Sequence, residues 1–95
     1  MTEDEAMVEA AVVRMSLDWA YKRDALPIWT VYDHPKDFPD GFVARLHLVE
    51  KSGEAATDQT IECDLEQLRW IFERVGLVMI PRSLQDDSKI VESWL

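Results

Sequence analysis

Ninety-five residues, 47% of them hydrophobic, suit one globular domain with one core. Nineteen Asp and Glu against ten Lys and Arg leave a net charge of -9, which opposes direct binding to nucleic acid or anionic lipid and invites basic partners. A single cysteine, Cys63, excludes an internal disulfide, so stability must come from packing, with or without oligomerisation.

The opening Met1-Thr2-Glu3-Asp4-Glu5 is acidic, unlike the basic start of a secretory leader. The longest apolar stretch, Val75 to Ile80 with Gly76 inside it, falls far short of the ~20 residues that span a bilayer. A soluble, cytoplasmic protein is the expectation.

Thr2 and Glu5 have the spacing of a capping box, which predicts a helix from about Glu3 to Lys22 or Arg23. The acidic first turn and the Lys22-Arg23 end both complement the helix dipole. Val8, Ala11, Val12, Met15 and Trp19 form an apolar stripe at helical spacing, and Met7, Val13, Leu17 and Tyr21 widen it beyond one face. Such a helix is either buried on two sides or a surface for self-association.

After Pro27, Ile28-Trp29-Thr30-Val31-Tyr32 has the β-branched and aromatic content of a strand. Residues Asp33 to Gly41 are dense in Pro, Asp and Gly, which is loop chemistry. Phe42 to Val49 resumes extended structure, with Phe42, Ala44, Leu46 and Leu48 on one face and Val43, Arg45, His47 and Val49 on the other. The two runs should pair as a hairpin with a long acidic tip. Lys51-Ser52-Gly53-Glu54 supplies a second turn, and Ala56 to Glu62 returns as a third antiparallel strand.

Asp64 then caps a second helix, with Gln67 at the reciprocal capping-box position and Gly76 as its stop. Leu65, Leu68, Phe72 and Val75, widened by Ile71, define its buried side. Leu77 to Ile80, ended by Pro81, reads as a short buried or edge strand; Arg82 to Lys89 is a polar loop, and Ile90 to Leu95 a final strand. These elements predict an α+β fold: a two-layer sandwich in which a small antiparallel sheet is packed by the helix of the C-terminal half. Residues 26–95 form the core of this single domain, and the helix within residues 1–25 is peripheral or oligomerising.

Few residues carry recognisable chemistry. Asp33, His34, Asp37 and Asp40 offer donors for a divalent cation, but the loop lacks the ligand alternation and terminal Glu of a calcium loop, and a rigid turn explains it better. Cys63 at a helix start is a conceivable nucleophile with His34 or His47 as base, yet the adjacent Asp64 carboxylate opposes its ionisation, and a buried thiol is the simpler reading. Ser83, Ser88 and Ser93 sit in no nucleophile elbow, and Gly41, Gly53 and Gly76 lie too far apart to cradle a phosphate. The expectation is a non-enzymatic protein without metal or cofactor.

The charge is clustered. Residues 1–9 carry -4 through Glu3, Asp4, Glu5 and Glu9, while Asp33, Lys36, Asp37 and Asp40 give the first loop -2. Glu50, Glu54, Asp58, Glu62, Asp64 and Glu66 against Lys51 give residues 50–66 a charge of -5, whereas Arg69, Arg74 and Arg82 against Glu73 make residues 67–82 +2. Carboxylates two strand residues apart are spaced about as phosphates are along a nucleic-acid strand, so such a face could occupy a basic groove. The plainer alternative is a solvated face that keeps the chain dissolved. Among four tryptophans, Trp70 projects off the buried stripe of its helix and, with Phe38 in the acidic loop, is a candidate aromatic anchor.

The run WTVYDHPKDFPDGFVAR at residues 29–45, with IVESWL at residues 90–95, resembles a pattern of short bacterial and prophage open reading frames that carry no established activity. The resemblance implies a setting, small proteins of bacteria and their mobile elements, in which inhibitors of host nucleic-acid machinery, including anti-CRISPR-like proteins, occur.

The expected function is therefore an acidic protein-interaction domain that occludes a basic surface, in its sharpest form by mimicking nucleic acid. Glu50, Glu54, Asp58, Glu62, Asp64 and Glu66, with Asp33, Asp37 and Asp40, would form the acidic face, and Trp70 and Phe38 the anchors. One alternative is an oligomeric accessory protein, a homodimer through the N-terminal helix, whose acid only solvates. The other is a small enzyme or metal-binding protein built on His34, Cys63 or the Asp loop.

Overall fold

A computed structural model describes residues 1–95. Helix α1 (Glu3–Lys22) precedes strands β1 (Leu26–Asp33), β2 (Phe42–Glu50) and β3 (Gly53–Cys63), then helix α2 (Leu65–Val75) and strands β4 (Met79–Pro81) and β5 (Ile90–Trp94). The five strands form one antiparallel sheet in the order β3-β2-β1-β5-β4, with both helices over one face. The expected α+β sandwich is the observed fold.

Local signals explain most boundaries. Thr2 accepts from the Glu5 amide while the Glu5 carboxylate accepts from the Thr2 amide, so the capping box starts α1. The end of α1 is less regular: Asp24 takes a left-handed φ of 56°, and the Asp24 and Ala25 amides donate back to the Tyr21 and Ala20 carbonyls. The Asp64 side chain accepts from the Gln67 amide at 2.8 Å to start α2, and left-handed Gly76 stops it. The reciprocal arm expected of Gln67 is absent, because its side-chain amide donates instead to the Met1 carbonyl at 2.8 Å. That bond ties the first turns of the two helices together.

The core lies between sheet and helices. Trp29 from β1 and Trp94 from β5 stand opposite each other in register, and Phe72 of α2 lies against both rings at centroid separations of 5.7 and 5.6 Å. Leu68 and Ile71 of α2, with Ala44, Leu46 and Leu48 of β2, complete the apolar layer. Burial of such large side chains stabilises by roughly 1.5–3 kcal/mol each.

The inward face of α1 is Ala6, Ala10, Val13 and Ala20, with Leu17 half-buried, and these pack into the same cluster. The helix is thus built into the core. Val8, Ala11, Val12, Met15 and Trp19, the stripe that periodicity marks as apolar, face solvent instead. Small side chains allow α1 to approach β1 and α2 closely, so packing selects the alanine face over the bulkier one.

β3 and β4 are the sheet edges. Between Arg45 and His47 the partner strand advances from Thr60 to Ala56, four residues against two, so β3 carries a bulge. Two extra residues preserve the inside-outside alternation, and Glu54 and Glu62 both remain on the face away from the helices, opposite Val49 and Val43. No helix is long and apolar enough to cross a membrane.

Candidate functional site

The bond between Gln67 and Met1 brings two acidic helix starts side by side. Met1, Thr2, Glu3 and Ala6 from the α1 segment and Asp64, Glu66, Gln67 and Trp70 from the α2 segment line an open depression of about 410 Å³. Trp70 is 38% exposed there, off the buried Leu68-Ile71-Phe72 side of its helix, and the Arg74 guanidinium lies 5.5 Å from its ring centre. Asp64 also borders a second depression with His34, Asp40, Gly41, Phe42, Glu62 and Cys63. Glu3, Asp40, Glu62, Asp64 and Glu66 therefore converge on one end of the molecule from three separate chain segments.

The remaining acidic candidates lie elsewhere. Glu50 and Glu54 flank the turn at the opposite end of the β2-β3 hairpin, and Glu54 and Glu62 stand opposite Val49 and Val43 of β2, which sets them roughly 20 Å apart. Glu50 lies 3.4 Å from Arg23. Asp58 is exposed within the bulged stretch of the β3 edge. The charges of residues 50–66 thus run along an edge strand from one end of the molecule to the other rather than forming one compact patch.

In the first loop, Asp37 pairs with Arg45 at 3.1 Å and Asp33 contacts the imidazole of His34, which leaves Asp40 without an ion partner. Phe38 is half-buried, its amide donating to the Pro35 carbonyl, so it presents less surface than Trp70. No group of three or more His, Cys, Asp or Glu side chains is placed to hold a metal ion. Cys63 and His34 border the same depression, but burial, followed by the charges of Asp64 and Glu9, pushes the thiol up to about 11. At neutral pH it stays protonated, which disfavours nucleophilic chemistry.

The helix-free face of the sheet holds a feature that sequence reasoning missed. Ile28, Thr30, Tyr32, His47, Ser93 and Leu95 line a shallow groove of about 330 Å³, and Tyr32 Oη lies 2.9 Å from His47 Nε2. Desolvation raises the tyrosine pKa and lowers that of the histidine, so a neutral phenol and a neutral imidazole share this hydrogen bond. Strand alternation had already put His47 on this face, but the facing of Tyr32 required the register between β1 and β2. No protein-family model, curated protein or solved structure matches the chain.

Proposed function

We propose that the chain is a non-enzymatic interaction domain that docks a basic surface of another protein at its acidic end and thereby occludes the site where that surface would hold nucleic acid. The observation that carries this reading is Trp70, exposed in a depression whose rim holds Glu3, Asp64 and Glu66. A partner's Lys or Arg can lay its aliphatic stem or guanidinium on the indole while its charge meets the carboxylates, a combination of aromatic anchor and ionic rim typical of binding hot spots. Glu62 and Asp40 extend the negative field from the adjoining depression and would steer association. Carboxylates that meet Lys and Arg in this way stand where phosphates would, which favours a nucleic-acid-binding partner.

A labelled arginine-rich peptide serves as probe. Trp70→Ala should weaken its binding about tenfold or more. Glu3→Gln, Asp64→Asn and Glu66→Gln together should weaken it and flatten its salt dependence, while Asp24→Asn, Glu50→Gln and Glu54→Gln, which remove the same charge from the other end, should do much less. Equal effects from the two triple variants would reduce the acid to a diffuse solubilising charge, and an unchanged Trp70→Ala affinity would remove the anchor.

A further inference from the structure

The geometry points to a second interaction surface, the outer face of α1, whose partner is the same face of a second copy packed antiparallel across a twofold axis. Val8, Val12, Met15 and Trp19 follow one another at steps of four, three and four residues, the spacing of a helix-pairing seam. All four are exposed, Val8 by 62% and Met15 by 68%, although the helix beneath them is firmly packed. With Met7, their exposed parts amount to on the order of 500 Å² of apolar surface, at the upper end of what a monomer leaves bare. A stable interface buries ~800 Å² per partner, so the apolar seam would supply more than half of it and the flanking polar residues the rest.

Charge identifies the occupant as a copy of this chain. Glu3, Asp4, Glu5 and Glu9 make the first half of α1 acidic, whereas Lys22 and Arg23 make its end basic. A parallel copy would set like charges against each other. An antiparallel copy centred between residues 13 and 14 sets Val8 against Trp19, Val12 against Met15 and Glu5 against Lys22, each contact occurring twice. The helix dipoles then also oppose, and Lys22, which has no ion partner within its own chain, gains one. Trp19 is held in advance, since the Arg23 guanidinium lies 4.8 Å from its ring centre and also bridges to Glu50. A pre-ordered aromatic at each end of the seam lowers the entropic cost of association. This surface does not involve the depression at Trp70, so the two proposals stand or fall separately.

Sedimentation equilibrium of the full chain over micromolar to several hundred micromolar concentration tests the pairing. The expected result is a mass rising towards twice 11.0 kDa. Met15→Lys and, independently, Val8→Lys should each return the monomer mass with an unchanged far-UV spectrum, because both side chains already face solvent. For orientation, Val12→Cys and Met15→Cys, each with Cys63→Ser, should cross-link faster when mixed than either does alone. A wild-type chain that stays monomeric throughout overturns the proposal. So does a dimer that survives both lysine variants, or one whose mixed cysteines cross-link no faster.

Discussion

Arg69 on α2 clasps Glu92 on β5 through two nitrogens, with Nη2 2.7 Å from Oε1 and Nε 3.1 Å from Oε2. Glu92 is only 2% exposed, and its Oε2 also accepts from the Trp94 indole at 2.9 Å, so an otherwise costly carboxylate is fully engaged beneath the helix. The same bonds raise the Arg69 pKa. The clasp fixes α2, and with it Trp70, relative to the sheet. Arg69→Leu leaves that carboxylate without its cation and should cost about 2–3 kcal/mol, below the full range for buried pairs because Arg69 is partly exposed. Adding Glu92→Gln should recover part of the loss. Urea denaturation of the three proteins decides it; a midpoint unmoved by Arg69→Leu would mean that apolar packing alone seats the helix.

The left-handed Asp24 that closes α1 offers a test of opposite sign. A non-glycine residue at a φ of 56° carries strain that glycine lacks. Asp24→Gly should therefore stabilise by about 0.5–1 kcal/mol, a rise of several degrees in Tm for a domain of this size. A lower Tm would show that the aspartate makes a compensating interaction in the native state.

The contrast between these two sites also shows what the sequence could reveal. Thr2, Glu5, Asp64 and Gly76 act on amides and carbonyls within a few residues, so both helices were legible from local pattern, as were the strands from their alternation. The inward face of α1 was not. Periodicity gives every apolar residue a direction, but Ala6, Ala10 and Ala20 win over Val8, Met15 and Trp19 only because the sheet and α2 sit close by, and that is tertiary information. The pairing of Arg69 with Glu92 spans 23 residues for the same reason. Trp70 was legible as an exposed aromatic from its helix position, whereas its acidic rim was not, since Glu3 joins Asp64 and Glu66 only through the docking of one helix start on the other.

His47 gives the fold a defined acid sensitivity. Burial lowers its pKa below the ordinary 6.5, so below about that pH the unfolded chain takes up a proton that the folded chain resists. Stability is complete above that value and declines as the pH falls through the window beneath it. His47→Gln, which can still hydrogen-bond to Tyr32, should flatten the decline. Parallel profiles of Tm against pH for the two proteins would assign the acid sensitivity to other groups.

Cys63 should be sluggish. A thiol pushed from 9.0 to about 11 holds about 100-fold less thiolate at pH 8, and alkylation by iodoacetamide should slow accordingly relative to the urea-unfolded chain. Above pH 9 the unfolded chain loses this proton first, so stability should fall as the pH climbs towards 11. Equal alkylation rates in the folded and unfolded chains would show that the thiol is neither buried nor perturbed.

The carboxylates of β3 are predicted to guard an edge more than to bind a partner. Glu54, Asp58 and Glu62 punctuate a strand whose outer backbone groups have no neighbouring strand, and charged side chains on such an edge deter pairing with another molecule. Glu54→Gln, Asp58→Asn and Glu62→Gln together should raise light scattering on warming while lowering affinity for the arginine-rich peptide only modestly, since of the three only Glu62 lies near the end that carries Trp70. If that triple variant instead stays clear on warming and loses peptide binding as fully as the Glu3, Asp64 and Glu66 variant, then the whole length of β3 belongs to the docking surface. The mimicry would then be that of an extended phosphate backbone rather than of a single anchored site.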